Sequence, residues 1–257
     1  MSGWFRAKAW LKYKRDAKNR HGVHSPFVYA LNDKVFPEER GADFTKHPAE
    51  AWRTLCLNNH DTIDVVDFGT GTSGPRVVAD IARHAAKSAR AGQFLHRFVK
   101  HLAPSTMLEL GTSLGITTLY QQTAAPDAKF ITIEGCPNIS AMALKVFAQQ
   151  QLSVELRNGT FENELRPALH TLKSVDYVYF DGNHRKQPTL DYFHTCLPFT
   201  HENSVFVFDD IHWSAEMEEA WKEIKAHPQV TVTIDVFDFG LVFFRKGQVR
   251  EDFVIAW

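Results

Sequence analysis

Closely spaced cysteines are missing from this chain. Cys56, Cys136 and Cys196 are its only three, far apart and without a C-x-x-C pair. That excludes a zinc ribbon and a disulfide framework, and it points to a reducing, cytoplasmic setting. No apolar run approaches the roughly 20 residues needed to cross a bilayer. The N-terminus lacks the uninterrupted apolar core of a signal peptide. Internal repeats and low-complexity tracts are absent too. An excess of positive charge is confined to one place. Residues 1–20 hold seven Lys or Arg against one Asp, a net +6, so the rest of the chain carries −7 within a total of −1. The body of the chain therefore has no broad basic surface, which argues against a nucleic-acid partner. With 44% hydrophobic and 23% charged residues, wholesale disorder is excluded, and 257 residues suffice for a full core.

What is present is a change of rhythm. Residues 4–35 predict helix, interrupted near "HGVHSPF", and residues 48–60 predict another helix opening at Pro48. "TIDVVDFG" predicts a short strand. "GPRVVADIARHAAKSARAGQFLHRFVKHL" predicts helix from Pro75, with a break near Gly92. From Pro104 onward strands and helices alternate. "TMLELG", "KFITIEG", "SVELRNG", "VDYVYFDG" and "SVFVFDD" each precede a helical stretch, and "VTVTIDVFDFGLVFF" reads as two strands turning at or near Gly240. The pattern predicts an α/β fold with a mostly parallel sheet and an antiparallel last hairpin. The division it predicts is an N-terminal helical region with a short strand over residues 1–92, then an α/β domain over 93–257.

Two glycine loops compete for a nucleotide. "IDVVDFGTGTSG" contains Gly69, Gly71 and Gly74 in a complete G-x-G-x-x-G. That fingerprint has meaning only inside a βαβ unit with an acid about 20 residues on. Here two helical stretches follow and no strand ends in an acid at that distance. The expected role is a tight turn into a helix begun at Pro75, with anion binding at that helix start as the second reading. "MLELGTSLGITT" lacks the fingerprint but has the context. A strand ends at Glu109, Gly111 and Gly115 permit a tight loop, a helix follows, and the next strand ends at Glu134. A carboxylate at that strand end can accept both ribose hydroxyls of a nucleoside. Glu109 beside the loop would repel a pyrophosphate and suit a cationic ligand. S-adenosylmethionine carries an ammonium and a sulfonium and no phosphate.

The stretches "LELGTSLGITT", "ITIEG", "YFDGNH" and "VFDDIHW" resemble the class I S-adenosylmethionine-dependent methyltransferases. The closest likeness is to small-molecule O-methyltransferases of the catechol type and their bacterial kin. The resemblance covers roughly residues 93–257. It implies a Rossmann-like seven-stranded sheet with a reversed last hairpin. It also implies that Glu109, Gly111, Thr112, Ser113 and Gly115 surround the methionine part of the cofactor. Glu134 and Gly135 would hold the ribose, and Asn158, Gly159, Thr160 and Phe161 would lie near the adenine. In the catechol-type family an Asp after the fourth strand and an Asp-Asn pair after the fifth bind magnesium, and a Lys three residues after the first Asp is the base. Carried over, Asp181, Asp209 and Asp210 take the metal positions, with Asp210 in place of Asn, and His184 stands where the Lys would be. Asp181 also falls beside the cofactor.

The chemistry of these residue types agrees. Methyl transfer needs a positioned nucleophile and a group that takes its proton. Ligands bind at the carboxyl ends of the strands in open α/β sheets, where Asp181-Gly182-Asn183-His184 and Asp209-Asp210-Ile211-His212 fall. Converging carboxylates call for a cation, and oxygen ligands suit magnesium, manganese or calcium. A histidine titrates near neutral pH and can serve as base, so His184 and Asp181 are the catalytic candidates. His212 and Trp213 are candidates for the substrate wall.

The basic arm mixes Trp4, Trp10 and Tyr13 with Lys and Arg. It is expected to dock with Trp4, Trp10 or Tyr13 packed inward and its basic face solvated. Peripheral contact of residues 1–20 with anionic lipid is the second reading, and an RNA-touching arm the third. "HGVHSPFVY" is placed to act as a lid. The expected function is O-methylation of a small molecule by a cytoplasmic enzyme, membrane-associated under the lipid reading, with homodimerisation as a further expectation. The rivals are an RNA or protein methyltransferase of the same fold, a nicotinamide oxidoreductase using the Gly69–Gly74 loop, and a non-catalytic nucleoside-binding module.

Overall fold

Pro26, Pro48 and Pro137 stand in the first turns of helices, where a missing N–H removes no helical bond. Pro75 does not follow them. It lies in a strand, opposite Asp64 of an antiparallel partner, and this one residue redirects the reading of the first glycine loop. The computed structural model describes residues 3–19, 24–36, 44–69 and 71–257. The chain forms two units, Met1–Pro37 with Lys173–Trp257, and Glu38–Leu172.

The first unit opens with α1 (Gly3–Asp16) and α2 (Pro26–Lys34). The expected lid falls partly on residues 21–23, outside the described residues. On α1, Ala9 and Tyr13 are buried, one turn apart.

The second unit contains α3 (Pro48–Leu57), β1 (Thr62–Val65), β2 (Gly74–Val77), α4 (Val78–His84), α5 (Ala89–Leu102), β3 (Thr106–Leu110), α6 (Ile116–Ala124), β4 (Lys129–Glu134), α7 (Pro137–Gln149), β5 (Val154–Asn158) and α8 (Phe161–Leu172). Strands β3, β4 and β5 pair in parallel, in that order. β3 and β4 are buried along most of their length, as expected of strands covered on both faces, whereas β5 alternates Val154 and Leu156 with Glu155 and Arg157 and is only partly buried. The short strand expected in "TIDVVDFG" is β1, and its partner is β2. The sequence predicted helix over residues 74–77. Those residues pair with β1 instead, as an edge strand that tolerates Pro75, and the helix begins at Val78. The expected break near Gly92 also lies elsewhere. The helical stretch stops at His84 and restarts at Ala89 on a Ser88 cap, whose hydroxyl accepts the Ala91 N–H. Gly92 lies inside α5 because a Cβ there would stand 2.2 Å from the Tyr120 ring.

The first unit resumes with β6 (Tyr177–Phe180), α9 (Lys186–Cys196), β7 (Val205–Asp209), α10 (Ala215–Ala226), β8 (Val232–Asp235), β9 (Phe239–Phe243) and β10 (Glu251–Val254). Strands β6 and β7 are parallel, and β9 runs antiparallel between β7 and β8. The expected last hairpin is therefore present, but it turns at residues 236–238, and Gly240 sits within β9, where the Trp221 ring leaves no room for a Cβ. The seven expected strands are β3 to β9. The sequence reading did not reach β10, which pairs in parallel with β8. Tyr13 donates to the Ile255 carbonyl at 2.5 Å, and Lys18 exchanges backbone bonds with Val254 and Ala256, so the two ends of the chain are stitched together. Among the described residues, no helix is long and apolar enough to cross a membrane.

Candidate active site

Residues after β3, β4 and β5 make the candidate cofactor site of the second unit. The loop after β3 turns back through three left-handed residues, Gly111 (φ 99°), Ser113 (φ 48°) and Gly115 (φ 77°). Gly115 also lets the Phe147 ring come within 2.8 Å of where a Cβ would sit. It precedes α6 without a side-chain cap. Ile133 accepts both the Gly111 and the Thr112 N–H, which ties the loop to β4.

Glu134 ends β4 beside this loop. Its Oε2 accepts the Ser113 N–H at 2.9 Å, and its Oε1 accepts the Cys136 N–H at 2.9 Å. Burial pushes its carboxyl above the ordinary range, opposed by the Cys136, Ser113 and Gly135 N–H groups and assisted by the nearby Asp67 charge. Asn158 and Gly159 brace the same turn. The Asn158 amide donates to the Glu134 carbonyl at 2.9 Å and to Ser140 Oγ at 2.9 Å, and the Gly159 N–H reaches the Glu134 carbonyl at 3.0 Å. Thr160 offers its carbonyl to the first turn of α8, which Phe161 opens. Of the expected cofactor residues of this unit, Ser113, Asn158 and Gly159 bond Glu134 directly. Glu109 is engaged within the fold. Fully buried, it accepts from Thr118 and Thr132 hydroxyls at 2.5 and 2.6 Å and from the Gln121 amide at 2.7 Å.

The Gly69–Gly74 loop connects β1 to β2, two antiparallel strands. Gly71 (φ 74°) and Gly74 (φ 148°) are glycines for conformational reasons. The loop opens no helix, so it offers neither the dinucleotide geometry nor the helix-start anion site that the sequence allowed.

The other unit assembles a second cluster. Asp181 follows β6, Asp209 ends β7, and His184 stands in the loop before α9. Ligand atoms of these three lie within 4.8 Å of one another. His184 Nε2 is 3.7 Å from Asp181 Oδ1, and the Tyr179 hydroxyl donates to Asp181 Oδ2 at 3.2 Å. Asn183, left-handed at φ 53°, makes the tight turn between them and bonds the Tyr192 hydroxyl. Asp210 has an unexpected partner. Arg6 of α1 lies 3.5 Å from Asp210 and 3.2 Å from Asp238, with its guanidinium 5.8 Å from the Trp213 ring. Trp213 also tilts toward the His184 ring, 6.1 Å between centroids. Nothing in the sequence of a basic helix singles out Arg6.

His212 has both ring nitrogens engaged, Nδ1 with Glu218 at 3.0 Å and Nε2 with Asp235 at 2.9 Å, and it stacks on Phe237. Burial lowers its pKa, but the two carboxylates outweigh burial and raise it overall. An open groove of about 660 Å³ in this unit is lined by His201, Gln229 and Arg245. It lies at the opposite strand ends from Asp181 and Asp209.

Comparison with known proteins follows the same lines. The family described as "Methyltransferase domain" matches residues 108–211. A "Transmembrane O-methyltransferase" of Propithecus coquereli is 38% identical over 84 residues, 31% of this chain and 30% of that protein. The chain thus matches under a third of the length of that curated relative. The O-methyltransferase TomG of Streptomyces achromogenes, solved with S-adenosylmethionine, aligns with a TM-score of 0.53 at 21% identity, over 63% of this chain and 82% of that one. Cofactor-bound Rv0187 from MTB aligns with a TM-score of 0.62 at 18% identity, over 88% and 99%. At such identities the structural likeness is one of fold. Residues 108–211 thus match a methyltransferase-domain family, and the chain shares the Rossmann-like fold of the solved methyltransferases it resembles.

Proposed function

We propose that this chain transfers the methyl group of S-adenosylmethionine to an oxygen of a small-molecule acceptor. The observation that carries the reading is Glu134, a strand-end carboxylate with one backbone N–H on each oxygen. A carboxylate oxygen accepts about two hydrogen bonds, so one position on each remains for a ribose diol. In the reaction the acceptor oxygen attacks the methyl carbon in line. The carbon–sulfur bond breaks, its electron pair stays on sulfur, and the acceptor's proton must leave. The leaving group is already good, so the protein's work is positioning and proton removal.

We assign the proton to His184, with Asp181 at 3.7 Å to orient the ring and stabilise the imidazolium. Trp213, tilted toward His184, is the candidate wall for an aromatic acceptor. Asp181, His184 and Asp209 also fit a divalent cation, because two carboxylates and an imidazole suit manganese at least as well as magnesium. Such an ion would acidify a bound hydroxyl, and His184 would then be a ligand and not the base.

The deciding experiment is calorimetric binding of S-adenosylhomocysteine, with NADH in parallel, followed by turnover of phenolic acceptors with and without manganese. Micromolar S-adenosylhomocysteine binding with silent NADH is expected. The reverse would overturn the methyltransferase reading. His184→Ala separates the two roles of that residue. As base its loss costs about a hundredfold or more in kcat with manganese affinity intact, whereas as ligand its loss removes the manganese affinity.

We also propose that α1 contacts anionic lipid. Trp4 and Leu11, 87% and 65% exposed, lie two turns apart on one face, beside Lys8 and Arg15.

A further inference from the structure

The β1–β2 hairpin, set aside as a dinucleotide loop, is fastened to the turn that carries Glu134. Asn138 donates to the Asp64 carbonyl at 2.7 Å, and the Val66 N–H reaches Cys136 Sγ at 3.4 Å. The hairpin loop is braced from within. Arg76 bonds the Asp67 carboxylate at 2.9 Å and the Thr72 carbonyl at 2.6 Å. The Asp67 carboxylate accepts the Gly69 N–H at 3.0 Å, and the Asp67 N–H reaches Ser73 Oγ at 3.1 Å. This bracing presents Phe68 in a definite place. Its ring lies so close over Gly135 that a Cβ there would stand 2.6 Å from Cδ2, yet Phe68 remains 57% exposed. Val66, two residues earlier, is 42% exposed. A single exposed phenylalanine is ordinary on a protein surface. This one is held, on a hydrogen-bonded hairpin, against the residue next to the proposed ribose acceptor.

We propose that Phe68 is the base-stacking wall of a purine-nucleoside subsite centred on Glu134, and that the adenine of the adenosyl group packs on its exposed face. The inference rests on the proposed cofactor. A ribose whose 2′- and 3′-hydroxyls bond Glu134 carries its base on the carbon adjacent to C2′. That places the base within reach of a ring seated over Gly135. Every base offers a π-face to an aromatic side chain. The Glu134 charge disfavours a phosphate near the ribose, so the subsite suits adenosine and S-adenosylhomocysteine better than a nucleotide.

The test compares wild-type protein with Phe68→Ala and Phe68→Trp, titrated calorimetrically with adenosine and with S-adenosylhomocysteine. Phe68→Ala weakens both ligands by the same factor, about tenfold, the order expected for one base–aromatic stack. Phe68→Trp restores the affinity, and its added fluorescence is quenched by S-adenosylhomocysteine. Phe68→Ala affinity within twofold of wild type overturns the proposal. A loss for S-adenosylhomocysteine without one for adenosine overturns it as well, since Phe68 would then serve the amino-acid end. Wild-type protein that binds neither ligand overturns the cofactor reading itself, a different result from either. A melting temperature for each variant confirms that the exposed position leaves the fold intact.

Discussion

Replacing Glu134 by Gln keeps the shape of the side chain and changes what it can accept. Glu134 has about four acceptor positions, two of them filled by the Ser113 and Cys136 N–H groups. Gln keeps one oxygen. That oxygen can satisfy one backbone N–H and one ribose hydroxyl, while the amide NH₂ meets the other backbone N–H donor to donor. The ligand loses the charge behind one hydrogen bond and the acceptor of the other. A hydrogen bond to a charged group contributes about 1.5–3 kcal/mol, so the loss is about 3 kcal/mol, roughly a hundredfold in affinity. Calorimetric titration of S-adenosylhomocysteine measures it directly, with a melting curve to separate loss of binding from loss of fold. An affinity within threefold of wild type would show that the diol is held elsewhere. The same carboxylate sets a pH dependence. Burial raises the Glu134 pKa, and the diol needs the ionised form. Binding should therefore weaken as pH falls through a midpoint above the ordinary carboxylate value, and Glu134→Gln should flatten that limb.

Gly92→Ala should lower stability although alanine is the better helix former. A Cβ would stand 2.2 Å from Tyr120, whose ring stacks on His47 and whose hydroxyl bonds Glu50, so overpacking of about 2 kcal/mol outweighs the helical gain. Differential scanning calorimetry should show a drop of roughly 2–4 °C for the net loss of about 1 kcal/mol, and a rise would mean that the ring moves aside at little cost. The His212 pairs with Asp235 and Glu218 stabilise the fold while His212 is protonated. Its folded pKa lies above the unfolded 6.5, so that contribution is complete below pH 6.5 and fades as pH rises through the folded value. His212→Gln should accordingly lower the melting temperature more at pH 6 than at pH 9, and equal losses at both would contradict the pairing. Replacing Trp4 and Leu11 by Ser should reduce co-sedimentation with anionic liposomes severalfold; unchanged co-sedimentation would leave α1 as a solvated helix.

The parts legible in the sequence were those whose signal is local. A strand, a glycine turn, a helix and a following acid occupy adjacent residues, so Glu134 and the Gly111–Gly115 loop could be placed before any fold was known. Asp181 and Asp209 follow from strand ends in the same way. The failures are cases where a distant neighbour decides. Pro75 carries a helix-start signal, but pairing with β1 makes its segment a strand. Gly92 resembles a helix break, yet its bare backbone accommodates Tyr120. Arg6, more than 200 residues from Asp210 in the chain, pairs with it, a contact that no local signal announces. Phe68 is a large apolar residue in a loop otherwise polar and glycine-rich, a signal local in sequence, whereas its seat over Gly135 depends on the fold.

The stitching of α1 to the final strand makes the two termini a single handle on the acidic cluster's neighbour. Tyr13 is held by Ile255, Lys18 by Val254 and Ala256, and the same helix delivers Arg6 to Asp210 and Trp213. Removing the last seven residues would therefore loosen a guanidinium that lies on the opposite end of the polypeptide. An affinity tag, a protease cut or a lipid surface acting on either extremity would register as a change of charge beside Asp210, with no residue of the cluster itself altered.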